Sequence, residues 1–178
     1  MRTRSLLLAA VVGLLTLGIA LPAAAVGLPG ESAATITVTG GALSITVPTN
    51  AGNLGSRPNS VLGGTVSALL GPVQVNDARS AAAGSGWVAS VISTAFTPPT
   101  GTAIAASAVG YTAGTIVKVG TATYTANDPA NLTGVVPAVT ATGITGDNSA
   151  TWNPTITVTV PGGMAAGIYS ATITHSVV

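Results

Sequence analysis

One histidine, His175, and four carboxylates, Glu31, Asp77, Asp128 and Asp147, are the main titratable groups in a chain without cysteine. Thiolate catalysis and thiolate metal sites are therefore closed to it. His175 shares a phase with Ile173 and Val177 in a run of alternating residues, so a packed, neutral imidazole is expected there. The alternative is the base of a Ser-His-Asp set, but no nucleophile-elbow pattern accompanies it. One histidine and four scattered carboxylates form no metal-ligand cluster, and no cofactor is expected. The carboxylates show no spacing that reads as a catalytic pair.

Asp77 and Arg79 stand two apart, so a continuing strand turns both to one face, in phase with Val73 and Val75. A structural salt bridge tying down the loop from Ser80 to Gly86 is expected, with a ligand site as the alternative. Trp87 follows Gly84-Ser85-Gly86, which leaves room for an indole beside the backbone. It is read as a core tryptophan whose N–H bonds to a neighbouring loop, or else as an exposed ring that stacks on a sugar. Trp152 precedes Asn153-Pro154 and is read as a loop residue, partly exposed, and a candidate ligand contact. Asn127-Asp128 and Asp147-Asn148 read as turn formers.

The elements that must position these residues are strands. The chain is rich in Val, Ile and Thr, with Gly, Pro and Asn between short runs. From Ala34 to Val47, apolar residues alternate with Thr and Ser on both sides of Gly40-Gly41. That pattern predicts a hairpin pairing Val38 with Leu43 and Ile36 with Ile45, or else a bend carrying one strand between two sheets. Further strands are expected at Val66–Leu70, Val73–Asp77 and Trp87–Phe96, with turns at Gly71-Pro72 and Pro98-Pro99. A short pair is expected around Gly120, from Ile116 to Val119 and Thr121 to Thr125. Asn127 to Ser149 reads as loops and edge pieces because Pro129, Gly134, Pro137, Gly143 and Gly146 interrupt it. Thr155–Val160 and Tyr169–Val177 alternate cleanly around a Pro161-Gly162-Gly163 turn. The fold class that follows is all-β, an antiparallel β-sandwich of Greek-key type.

Residues 1–25 read as a signal peptide, with an uncleaved membrane anchor as the alternative. Arg2 and Arg4 precede an apolar run from Leu6 to Leu21, and Ala23-Ala24-Ala25 follows Pro22 as a cleavage pattern. Residues 26–33 then form a short linker, and 34–178 a single β domain. No second apolar run is long enough to span a bilayer, so no membrane span is expected after cleavage. Charged residues are 5% of the chain, against about 25% in ordinary domains. Beyond residue 25 the bases are Arg57, Arg79 and Lys118 against four acids, a net charge of −1. Three dispersed bases build no cationic patch, so nucleic acid is not an expected partner.

Three stretches resemble the WxL surface-domain family of Gram-positive bacteria, in its actinobacterial branch with degenerate motifs. They are Val75–Val91, containing V-N-D-A-R-S and G-S-G-W-V-A-S-V, then Asn148–Pro161 and Ala166–Val177. The resemblance spans most of residues 34–178. It implies a secreted, non-catalytic protein held non-covalently at the cell wall, with peptidoglycan as ligand. The alternative, read from the low charge and exposed strand edges and not from the resemblance, is a structural or adhesive subunit that assembles with other surface proteins. Members carry Trp-x-Leu twice. Here the first site is Trp87-Val88-Ala89 and the second, degenerate one is His175-Ser176-Val177.

Overall fold

Alternating β-branched residues place Val73 and Val75 on one face of a strand and Gln74 and Asn76 on the other. A computed structural model of the chain, which describes residues 35–178, buries the first pair and exposes the second. The signal peptide read at 1–25 and the linker read at 26–33 lie outside the described residues. Eight strands follow in order: β1 (Leu43–Thr46), β2 (Gly64–Leu69), β3 (Val73–Ser93), β4 (Val109–Thr112), β5 (Val117–Ala126), β6 (Val136–Trp152), β7 (Thr155–Val160) and β8 (Ile173–Val177). One turn of 3-10 helix, Ala106–Ala108, leads into β4. All strands belong to the unit Val38–Val178.

The protein is an all-β antiparallel sandwich. Sheet A runs β1-β3-β6-β5, with β8 also paired to β3; sheet B runs β2-β7-β4. Both sheets contribute to one apolar core, with Val73, Val75, Trp87, Ile144 and Trp152 from sheet A and Val109, Tyr111, Ile156 and Val158 from sheet B. No helix among the described residues is long and apolar enough to cross a membrane.

Several sequence expectations are corrected. The Gly40-Gly41 hairpin does not form, nor does the alternative bend between sheets: Thr35–Ala42 enter no strand, and β1 pairs with β3 instead, Leu43 opposite Asp77 and Ile45 opposite Val75. An isolated two-stranded hairpin buries little, whereas joining β3 packs Leu43 and Ile45 against the core. The pair expected around Gly120 is one strand, β5. Gly120 has a positive φ of 86° and sits at a register shift between Val119 and Thr121, so it marks a bulge and not a turn. The segment expected as loops contains the long strand β6, which lies between β3 and β5. Gly143 and Gly146 lie where the β3–β6 and β5–β6 registers shift, and Pro137 stands at its second residue. Glycines in a long strand served as bulges there, and residue type alone does not separate the two uses. The run expected at Trp87–Phe96 ends at Ser93 and is the far half of β3, continuous with Val73–Asp77 through those shifts, while Phe96 makes only an isolated bridge with Ile104. The last strand starts at Ile173, not Tyr169, although Tyr169 and Ala171 keep the half-buried phase.

Candidate functional site

Asp77 continues the inward phase of Val73 and Val75, which carries a carboxylate into the core. Arg79 answers it. The guanidinium donates from Nε to Asp77 Oδ1 at 2.8 Å and from Nη2 to Asp77 Oδ2 at 2.9 Å, and from Nη2 to the Gly86 carbonyl at 3.2 Å. These bonds hold the Asp77 carboxyl below its ordinary range, against the opposing effect of burial. The bidentate pair ties Asp77 to Gly86 within β3, across the Ser80–Gly86 stretch expected as a loop, through which the strand in fact continues.

Asn148 links this pair to Trp87. Its Nδ2 donates to Asp77 Oδ2 at 3.2 Å; its Oδ1 accepts from Trp87 Nε1 at 3.0 Å and from the Tyr124 hydroxyl at 3.2 Å. Trp87 is 2% exposed, and its ring lies 5.6 Å from that of Tyr124. Its N–H bonds to a strand residue and not to a loop. Asn148 is likewise no turn former: it lies within β6, buried. Its neighbour Asp147 accepts from the Ser80 backbone N–H at 2.9 Å. Asp128 does sit outside the strands with a positive φ of 44°, and accepts from the Ala113 N–H at 2.8 Å.

Trp152 is the last residue of β6, in the strand and 2% exposed, where the sequence pointed to an open loop. The Val73–Trp152 pairing extends the ladder to this position and draws the ring inward. Trp152 Nε1 donates to the Tyr111 hydroxyl at 2.7 Å, and that hydroxyl meets His175 Nε2 at 3.3 Å. The Tyr111 oxygen accepts from Trp152, which leaves the hydroxyl proton free to be donated to an unprotonated Nε2. Nδ1 has no hydrogen-bond partner. Burial pushes the His175 pKa down to about 4, and pushes the Tyr111 hydroxyl up. His175 therefore meets a hydroxyl but no carboxylate among the described residues. Neither indole offers a face to a ligand: Trp87 is the core tryptophan that its sequence context suggested, its stacking alternative falls away, and the ligand contact expected at Trp152 is corrected, since both rings are internal struts.

The stretches Trp87–Ala89 and His175–Val177 come together. β8 pairs with the end of β3, Ala89 opposite Val177 and Val91 opposite His175, and Val88 and Val178 exchange backbone hydrogen bonds of 2.8 and 3.1 Å. Their neighbourhood is structural: a strand pair that closes one flank of β3.

The surface feature that sequence reading missed is a groove of about 840 Å3. Leu70 and Val158 form its buried floor, and the connections β1–β2 and β7–β8 supply its rim. On the rim, Asn50 and Asn53 each turn the side-chain oxygen back to a backbone N–H two residues on, at 2.7 and 2.9 Å. Their Nδ2 groups donate to no protein group among the described residues. Arg57 Nη2 donates to the Gly63 carbonyl at 2.6 Å, and the Tyr169 hydroxyl donates to the Ala165 carbonyl at 2.9 Å. The lining includes no carboxylate. Such a surface offers donors and a tyrosine ring, so it suits an acceptor-rich ligand that carries no positive charge. The Asn-x-Gly and Asn-x-Gly-x-Arg pattern at 50–57 was its only sequence trace. Among the described residues, no group of three His, Asp or Glu gathers as metal ligands. Comparison of the chain with protein-family models, curated proteins and solved structures finds no match.

Proposed function

We propose that this chain is an exported, non-catalytic surface protein that associates non-covalently with cell-wall glycan. Residues 1–25 are read as the export signal, and the WxL resemblance supplies the wall as the destination. The observation that carries the reading is the groove: outward amide donors at Asn50 and Asn53, the Arg57 guanidinium and the Tyr169 ring over an apolar floor. Sugars present hydroxyl and acetamido acceptors on a partly apolar ring face, which hydrogen bonding and stacking can hold without charge. The binding surface lies at this groove and not at the tryptophans.

Sedimentation of the purified exported chain with isolated cell walls tests the reading. Retention above a control protein is expected, and Asn53→Ala with Tyr169→Ala is expected to weaken it about tenfold, a loss of roughly 1.4 kcal/mol. Wild-type retention no greater than the control defeats it.

A further inference from the structure

Sheet edges differ sharply in how they are guarded. The outer flank of β4 is covered by the segment around residues 129–132: the Tyr111 N–H bonds to the Pro129 carbonyl at 3.0 Å, and the Leu132 N–H to the Ala106 carbonyl at 3.1 Å. β5 carries Lys118 in the inward phase, opposite buried Ala150, and the Gly120 bulge; both devices oppose edge-to-edge pairing. β1 and β8 share one flank of β3 and are only four and five residues long.

β2 is guarded only at its start, where the Arg57 guanidinium lies against Gly64 and donates to the Gly63 carbonyl. Its six residues, Gly-Thr-Val-Ser-Ala-Leu, hold an unshifted register with β7 and contain no charge. Among the described residues, no strand pairs with its other edge. The β1–β2 connection runs beside it but makes no backbone hydrogen bond to Thr65–Leu69. Val61 and Leu62, just before it, are 92% and 94% exposed. Val66, on its inward phase, lines the groove beside Val158 and Val160.

The same chain carries a segment with the complementary pattern. Thr35-Ile36-Thr37-Val38-Thr39 is β-branched at every position and without charge, yet enters no strand. Ile36 and Val38 are 91% and 85% exposed. Laid along β2, its alternation turns Ile36 and Val38 to the groove, in phase with Val66 and Ala68. Its threonines then continue the outward row of Thr65 and Ser67. We infer that Thr35–Thr39 of one copy adds as a strand to the β2 edge of a second copy, so that the protein self-associates by strand addition. Backbone hydrogen bonds supply the affinity and the two aliphatic side chains the register. The contact is between different surfaces of the two copies, which permits head-to-tail growth. The added strand uses part of the groove lining, so a copy that accepts a strand does not hold glycan there.

Light scattering after size-exclusion of the purified exported chain, over a wide range of concentration, tests the inference. Oligomers are expected, and Ile36→Asp with Val38→Asp is expected to weaken association about tenfold or more. Those side chains are exposed in the free chain, so an unchanged circular dichroism spectrum should show that the variant still folds. In a background without native cysteine, Thr37→Cys mixed with Thr65→Cys or Ser67→Cys should give a mixed disulfide. A strict monomer, association indifferent to the aspartates, or association without either mixed disulfide overturns the inference. Wall retention is a separate readout, and its failure leaves this one standing.

Discussion

Asn148 is the residue on which most of the buried polar chemistry turns. It accepts from Trp87 and Tyr124 and donates to Asp77, so one truncation strips partners from three side chains. A buried donor left unpaired costs about 1–3 kcal/mol. Asn148→Ala should therefore lower unfolding free energy by about 2–4 kcal/mol in a denaturant titration. A change near zero would show that Trp87 finds another acceptor. His175 makes a second prediction. Its folded value of about 4 lies below the ordinary 6.5, so the unfolded chain takes up the proton first as pH falls. Its contribution is fully present above pH 6.5 and is lost as pH drops toward 4, on the order of 2 kcal/mol after allowance for partial exposure. His175→Leu should flatten the stability profile in that window; an unchanged slope would contradict a neutral, buried imidazole. The Asp77–Arg79 pair was legible because residues two apart share a face of any strand. Asn148 was not, because its partners lie 61 and 71 residues away, and local sequence reads Asp-Asn as a turn.

At the scale of elements, long strands with bulges explain both what sequence showed and what it hid. Clean alternation identified β2, β7, β8 and the start of β3, where one face is buried and periodicity must show it. It failed for β6, where bulges at Gly143 and Gly146 reset the phase, and for β5, where Gly120 does the same. Gly120 combines a positive φ with a backbone neighbour: a Cβ there would come within 2.5 Å of the Asp147 carbonyl oxygen. Gly120→Ala should cost about 1–3 kcal/mol, with a matching fall in the thermal midpoint. A neutral outcome would mean that β5 re-registers without the bulge. The hairpin at Gly40-Gly41 failed for a different reason. Turn chemistry permits it, but the flank of β3 offers more burial to Leu43 and Ile45 than a free hairpin does.

Across the whole molecule, an all-β sandwich without disulfides holds itself by apolar burial, two indole-centred polar networks and long ladders. The fold class was readable because strand patterning covers most of the chain. The groove was not, because it is built from connections far apart in sequence whose positions only the fold decides. The proposed glycan binding places the ligand in this groove and leaves both tryptophans inside. Tryptophan fluorescence during titration of the purified protein with solubilised wall glycan is the decisive measurement. Saturable binding is expected, with emission that stays blue-shifted and shielded from aqueous quenchers throughout, and weaker binding in the Asn53→Ala, Tyr169→Ala variant. Binding that shifts or quenches the indole emission and ignores that variant would contradict it.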